Sequence, residues 1–380
     1  MKKTLIAFAA LSAIAGMAQA QSSVTLYGLV DAYVGRAETE ITGPGLTGDK
    51  VKRTVINSSG QNNSRWGVRG TEDLGGGLKA VFVLENGFNV DTGGFANISN
   101  QGGALFGRQA FVGVSSGFGT ASLGRHLTAY DALRGATNMI YDSNFATTAT
   151  VWNAGVQDYQ SRASSSISYA SPDFAGFSGG FVYGLGEQAQ LAATAPAITP
   201  PTPGKEENAS FHVKYANGPL LVGFAHQQEK QFAGGNYFGT GANVGVAAGN
   251  VGFDAKRKYN LIGASYDFGV VKLVSQYNDA KGQTSATASS RDKEFQIGVS
   301  VPFGPAAIAA GYSIAQTEGS GIGAGNQGSN DSMGFSLLGT YALSKRTNLY
   351  AGFSAVTLER ANAAVEEKRT LVAVGARHLF

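Results

Sequence analysis

Residues 370–380, TLVAVGARHLF, end the chain on Phe380 without a polar tail. Chain termini are usually polar and frayed, yet Val372, Val374 and Ala376 share one parity with the terminal Phe. A strand of this kind has an apolar face and an edge whose backbone groups need partners. The ending therefore predicts a last strand that pairs with the first strand and closes a sheet.

The N-terminal segment is of a different type. Residues 1–20, MKKTLIAFAALSAIAGMAQA, combine two lysines, an apolar run and small residues before a cleavage point after Ala20. This pattern is typical of a Sec-type signal peptide, and the run is shorter than the ~20 residues of a spanning helix. We expect residues 1–20 to be cleaved and residues 21–380 to form one domain.

Composition narrows the class of protein. Without Lys2 and Lys3 the basic residues fall from 29 to 27 against 26 acidic ones, a net charge of +1, so no bulk attraction to nucleic acid is expected. Cysteine is absent, which removes disulfides and thiolate metal sites. Residues 21–380 contain no apolar run of ~18 residues, so a membrane-spanning form must be a closed β-barrel.

Sixteen segments alternate apolar with small or polar residues, and their connections alternate between short and long. The short ones, such as DLGGG, ANGP and PFGP, have the composition of hairpin turns. The long ones include residues 43–62 and 128–160, and long loops argue against a compact soluble domain. Seven turns and eight loops predict an all-β fold, a transmembrane antiparallel barrel of sixteen strands.

Alternation also predicts which side chains enter the barrel. An arginine facing lipid costs ~2–4 kcal/mol at the bilayer midplane, so Arg65 and Arg69 should face the lumen and Trp66 should face lipid. The same reasoning assigns further residues to the inner wall: Asp31, Lys79, Glu85 and Arg108. These side chains predict a charged, water-filled interior.

In the fourth predicted strand the assignment is less regular. It places Leu105 and Phe111 on the lipid-facing side, together with Gln109, and leaves Arg108 inside. A glutamine on that side is acceptable if the strand lies partly against another subunit.

Seven segments distributed along residues 22–380 share a more specific pattern. They are SSVTLYGLVDAYV (22–34), SRWGVRGTEDLGGGLKAVFVLENGF (64–88), LFGRQAFVGVSSGFGTASLGR (105–125), SISYASPDFAGF (166–177), GASYDFG (263–269), YALSKRTNLYAG (341–352) and the C-terminal strand. With these segments the chain strongly resembles the Gram-negative general diffusion porins. The EDLGGGL segment and the terminal Phe are the specific features.

The resemblance implies a homotrimer of sixteen-stranded barrels, with the third loop, residues 128–160, folded into each lumen. It implies a constriction at which wall arginines, here Arg65, Arg69 and Arg108, face an acid of that loop, either Asp131 or Asp142. A further family arginine falls at residues 153–157, where this chain has none, and Arg162 is the candidate replacement. Arg125 and Arg134 are additional candidates.

The resemblance also implies a location and partners. We expect a multi-pass protein of the Gram-negative outer membrane, in contact with its lipid and lipopolysaccharide, whose Phe380 is the signal read by the outer-membrane assembly machinery. The lysines near the long loops are expected to be solvated or to touch lipopolysaccharide phosphates: Lys50, Lys52, Lys205, Lys256 and Lys258.

The leading functional hypothesis is passive diffusion of small hydrophilic solutes and ions, with a mild anion preference that the loop acids could reverse. A substrate-selective porin of the same fold is the alternative and would need a track of aromatics or stacked arginines. An adhesin or enzyme using the barrel as a platform would be ion-tight. The four histidines lack hydrolase spacings, so we expect no catalytic residue, no metal and no cofactor: His126, His212, His226 and His378.

Overall fold

A computed structural model describes residues 23–96, 104–152, 156, 159–186, 206–231, 255–283, 289–319, 330–360 and 365–380. The predicted signal peptide, residues 1–20, lies outside the described residues. In the described part of the chain, no helix is both long and apolar enough to cross a membrane.

Seventeen strands within these ranges form one antiparallel sheet, and two short helices lie between β6 and β7. The strands are β1 Ser23–Thr42, β2 Lys50–Ser58, β3 Arg65–Gly75, β4 Leu78–Gly87, β5 Gln109–Ser116, β6 Gly119–Leu127, β7 Arg162–Ala170, β8 Phe177–Gly184, β9 Glu206–Asn217, β10 Leu220–Gln231, β11 Ala255–Asp267, β12 Lys272–Gln283, β13 Ser289–Phe303, β14 Ala306–Gly319, β15 Asn330–Ala342, β16 Thr347–Arg360 and β17 Val365–Leu379. The helices are α1 Ala129–Ala136 and α2 Thr148–Val151.

The sheet closes because β1 pairs with β17 on one edge and with β2 and β3 on the other. β3 pairs with residues 23–29 of β1, and β2 pairs with residues 32–40. β2 and β3 therefore share one position in the wall, and the closed barrel has sixteen positions, as the alternation predicted. The expectation of a loop over residues 43–62 was wrong for β2, because its charged sequence KVKRTVINS was taken for a solvated connection.

The predicted pairing of the chain ends is confirmed. Gly28 and Phe380 exchange two backbone hydrogen bonds, each with an N···O distance of 3.0 Å. The Phe380 ring lies over Gly28, where an added Cβ would come within 2.5 Å of it. Both edges of the sheet are thereby satisfied, which a barrel in lipid requires.

Side-chain direction follows the predicted alternation in most strands, but the fourth predicted strand was assigned to the wrong parity. Glu85 pairs with Gln109 and Val83 pairs with Phe111, so Gln109 and Phe111 point inward, and Phe111 stacks on His126 with a centroid distance of 4.8 Å. The error arose because the parity of Leu105 was carried across Gly107, before β5 begins at Gln109.

Loop 3 is the connection between β6 and β7, and its described residues, 128–152, 156 and 159–161, lie inside the barrel. Its helix α1 packs against β9, β10 and β11, and α2 packs against β14, β15 and β16. Loop 3 also meets β1, where Phe145 packs against Tyr33, and the start of β7, where Ala129 packs against Ala163. The loop therefore covers one half of the inner wall and leaves the half formed by β3–β6 uncovered.

Candidate functional site

Small residues on the inner wall allow loop 3 to lie close to the strands. A Cβ built at Gly334 would come 2.6 Å from the Thr147 Cβ, and one at Gly298 would come 2.8 Å from the Met139 Cβ. Glycine is used where backbones must approach closely. The loop meets the wall at further glycines on other strands: Gly223, Gly263 and Gly352.

Hydrogen bonds from the wall fix both ends of the loop. At its start, the Ala129 N–H donates to the Ser210 hydroxyl at 3.0 Å, and the Thr128 hydroxyl caps α1 by accepting from the Asp131 N–H at 3.2 Å. Gln276 of β12 donates to the Arg134 carbonyl at 2.6 Å. Because these donors and acceptors are buried, each bond also prevents an unsatisfied polar group.

Two wall carboxylates anchor the end of the loop, and neither was singled out from the sequence. Glu229 accepts from the Gln160 N–H at 2.6 Å and pairs with Arg257 at 2.8 Å, while Asp292 accepts from the Val156 N–H. Both carboxylates have the inward parity of their strands, so the alternation could have found them.

On the uncovered half of the wall, two arginines converge on two acids. The Arg108 Nε donates to Glu85 Oε1 at 2.7 Å, and the Arg65 Nη1 donates to Asp142 Oδ2 at 3.2 Å. The Arg108 Nη2 lies 3.9 Å from the same Asp142 oxygen. Asn63 donates to the other oxygen of Asp142. Asp142 is thus the acid of loop 3 that meets the arginine wall.

The other two predicted arginines occupy different positions. The Arg162 Nε donates to the Arg108 carbonyl at 2.9 Å, so Arg162 lies beside the converging pair and is largely buried. Arg69 lies nearer the hairpin turn, with its guanidinium carbon 5.1 Å from the centre of the Tyr27 ring. Arg69 is outside the cluster.

Asp131 is almost completely covered by its neighbours. It is 3 % exposed, and its Oδ1 accepts hydrogen bonds from the Tyr141 and Tyr159 hydroxyls. Burial raises the pKa of Asp131, while the nearby Arg162 and the two tyrosine hydroxyls act in the opposite direction. The two tyrosines were not identified from the sequence because nothing local to YDALRGATNMIYD marks their shared target.

Asp31 also differs from its expected role as a lumen-lining residue. Its side chain points inward but is fully buried. The carboxylate accepts hydrogen bonds from the backbone N–H groups of residues 60–62 at 2.8–3.0 Å, and this segment covers it. The Tyr350 hydroxyl donates to the same carboxylate at 2.5 Å. Asp31 therefore fixes the segment between β2 and β3. Lys79 has inward parity and is exposed near the hairpin turn.

A polar cavity of about 590 Å³ lies between loop 3 and the arginine wall. Its lining includes Arg65, Arg108 and Arg162 on one side and Tyr141 and Asp142 on the other. A solute in the cavity meets fixed charges of both signs within a low-dielectric wall, where fields are focused. The arrangement can select by size and charge.

The fold and the cavity together define a β-barrel channel whose lumen is narrowed by an inward loop. The sequence matches the family described as Gram-negative porin over residues 7–361, and the chain belongs to this family. It is 34% identical to an outer membrane porin protein of Bordetella pertussis over 100% of both chains. It is 33% identical to outer membrane porin protein 32 of Delftia acidovorans, again over 100% of both.

Solved structures agree with this assignment. An anion-selective porin from Comamonas acidovorans superposes with a TM-score of 0.70 and 29% identity, covering 95% of this chain and 100% of that one. OmpT of Vibrio cholerae, in a trimer form, has the same fold with a TM-score of 0.63 at 17% identity, covering 94% of this chain and 99% of that one. The protein is an outer-membrane porin.

Proposed function

We propose that small hydrophilic solutes and ions diffuse passively through this barrel and are filtered at the cavity between Arg65, Arg108 and Arg162 and the loop acid Asp142. The observation that carries this proposal is the convergence of the charged wall and loop 3 on one polar cavity. Loop 3 limits the size of the solute because it is packed on the wall. The charged side chains select the solute by the sign of its charge.

The preference we propose is for anions. Of the acids near the cavity, Glu85 is covered by Arg108 and by the Tyr27 hydroxyl, and Asp131 is covered by two tyrosines. Arg69 and Lys79 are exposed on the way to the hairpin turns. The similar porin from Comamonas acidovorans is described as anion-selective, which supports the same sign here.

The assembly we propose is a homotrimer in the outer membrane, as in the trimeric OmpT form with the same fold. We also propose that lipopolysaccharide contacts the outer face and that Phe380 is read by the assembly machinery. The backbone pairing of Phe380 with Gly28 joins the last strand to the first and closes the barrel. This position supports a role for Phe380 in the assembly of the barrel. No enzymatic activity is proposed.

Single-channel recording in a planar bilayer under a salt gradient tests the function. Refolded residues 21–380 should insert as open channels that close in three steps, with a reversal potential of the sign expected for anions. A folded protein that never conducts would contradict the channel. A cation-selective reversal potential would contradict the proposed sign, and steps that are never grouped in threes would contradict the trimer.

A further inference from the structure

Three cations stand side by side on the outer face of the barrel. Lys258 of β11 pairs directly with Lys281 of β12, and Lys281 pairs directly with Arg291 of β13. All three have the parity of exposed outer residues such as Ile262, whereas Arg257 on the opposite parity is buried against Glu229. We call Lys258, Lys281 and Arg291 the cationic row.

The charges of the row are only partly compensated within the protein. Arg291 directly opposes Glu318 of β14 on its other side, whereas Lys258 and Lys281 oppose each other. Directly opposed residues of an antiparallel pair have Cβ atoms ~4.5–5.5 Å apart, and like charges there are destabilising. Asp279 contacts Arg291 through an Nε–Oδ2 distance of 2.9 Å and Lys281 at 3.8 Å, so one carboxylate serves two cations. Within the described residues, Lys258 has no carboxylate partner.

The surroundings of the row add to its positive charge. On the outer face of β11–β14, at this end of the barrel, five cations face two acids, a net charge of +3: Lys256, Lys258, Lys281, Arg291 and Lys293 against Asp279 and Glu318. Glu318 is engaged by Lys293 at 3.0 Å. Four of the cations and one of the acids line a groove of about 650 Å³: Lys256, Lys258, Lys281, Arg291 and Glu318.

At the same end of the barrel, the outer face of β2, β1 and β17 carries balanced charges, unlike that of β11–β13. On β2, β1 and β17 the outer charges alternate in sign, because Glu38 pairs with Lys52 and Glu40 pairs with both Lys50 and Lys368. The Lys50 Nζ lies 3.2 Å from Glu40 and the Lys52 Nζ lies 3.4 Å from Glu38. The Lys368 Nζ lies 2.6 Å from Glu366. This neutralised set of three acids and three lysines, Glu38, Glu40, Glu366, Lys50, Lys52 and Lys368, shows that the chain can balance its outer charges.

The height of the row indicates its ligand. Lys258 lies four residues beyond Ile262 on the same face, and Lys281 lies four residues beyond Tyr277, and both apolar side chains are exposed on the barrel exterior. Four strand residues span ~13 Å, which places the row just beyond the apolar band, at headgroup level. Phosphate is the anion that clustered Lys and Arg bind in such a place.

We propose that the cationic row binds the phosphorylated headgroup of an outer-leaflet lipid, so that the lipid phosphate supplies the negative charge missing from the protein. The inference rests on the outer-membrane location and deepens the proposed contact with lipopolysaccharide. It assigns that contact to β11–β13 rather than to the neutralised set on β2, β1 and β17.

Binding of bisphosphorylated lipid A to the detergent-purified protein, followed by native mass spectrometry, tests the site. The variant K258Q/K281Q/R291Q should lose affinity by about tenfold to a hundredfold, since each surface cation contributes ~1 kcal/mol toward an anionic headgroup. The matched control K50Q/K52Q/K368Q removes the same charge from the neutralised set and should lose less than about threefold. Equal losses in both variants would overturn the proposal.

Two further measurements separate the possible sources of an effect. Monophosphorylated lipid A should bind the wild type more weakly, and inorganic phosphate at equal concentration should not displace the lipid; displacement by inorganic phosphate would overturn a lipid site. Without lipid, K281Q should unfold at a higher temperature than the wild type because like-charge repulsion is relieved. Conductance of each preparation is recorded separately, so a failed lipid site and a failed channel give different results.

Discussion

The two halves of the inner wall differ in what they present to loop 3. The half formed by β9–β16 offers glycines and buried hydrogen-bonding groups, and the loop packs directly on it. The half formed by β3–β6, with Arg162 at the start of β7, offers arginines and an open polar cavity. The difference indicates that the covered half fixes the width of the channel and the uncovered half fixes its charge, so mutations in the two halves should have separable effects.

The largest expected effect concerns the buried anchor of the loop. The double variant Y141F/Y159F removes both hydroxyls that donate to Asp131, and each hydrogen bond to a charged group contributes ~1.5–3 kcal/mol. We expect the free energy of unfolding in detergent to fall by about 3 kcal/mol at pH 7. The single variant Y159F, which keeps one donor, should lie between the wild type and the double variant.

The same double variant should show a pH dependence of defined sign. Burial already raises the pKa of Asp131, and loss of two donors that favour the carboxylate should raise it further. The ionised form is then less stable in the folded chain than in the unfolded one, so the stability deficit should grow as pH rises and shrink near pH ~4. A deficit that is equal at both pH values would show that Asp131 does not carry the effect.

A glycine on the covered half gives the next largest effect. In G334A the new Cβ would lie 2.6 Å from the Thr147 Cβ, and overpacking of this kind costs ~1–3 kcal/mol. We expect a lower unfolding temperature and a changed single-channel conductance, because loop 3 must move. In G339A, on the outer face of the same strand, the nearest atom is 3.8 Å away and little should change. Equal effects of the two variants would show that loop 3 is not held by β15.

The sequence predicted the barrel more completely than the constriction. Alternation and turn composition gave the sixteen wall positions and the inward direction of Arg65 because both depend on neighbouring residues. The direction of Gln109 and Phe111 was missed because the parity changes at an irregular segment before β5. The burial of Asp131 and Asp31 could not be predicted, because each depends on residues far along the chain, Tyr159 and residues 60–62 respectively.

Asp142 of loop 3, which faces the uncovered half, should control selectivity without controlling stability. Its side chain is 22% exposed and faces Arg65 and Arg108. The variant D142N leaves both guanidiniums without this opposing charge, so the anion-to-cation permeability ratio should rise about twofold to threefold. The unfolding free energy should change by less than about 1 kcal/mol. D173N makes the same chemical change at an exposed turn and serves as the control. An unchanged permeability ratio would place the selective region elsewhere in the lumen.

The smallest expected effect distinguishes two arginines that the sequence treats alike. Arg65 lines the cavity and contacts Asp142, whereas Arg69 lies over the Tyr27 ring near the hairpin turn. R65Q removes a charge from the polar cavity beside loop 3, where the field is focused, and should lower the anion preference measurably. R69Q removes the same charge from a part of the lumen that is open to water, where salt screens charges over ~8 Å. The reversal potential of the R69Q channel should therefore stay close to that of the wild type. If R69Q shifted the reversal potential as much as R65Q, selectivity would be spread along the whole of β3. The cavity beside loop 3 would then not be the region that sets the charge preference of the channel.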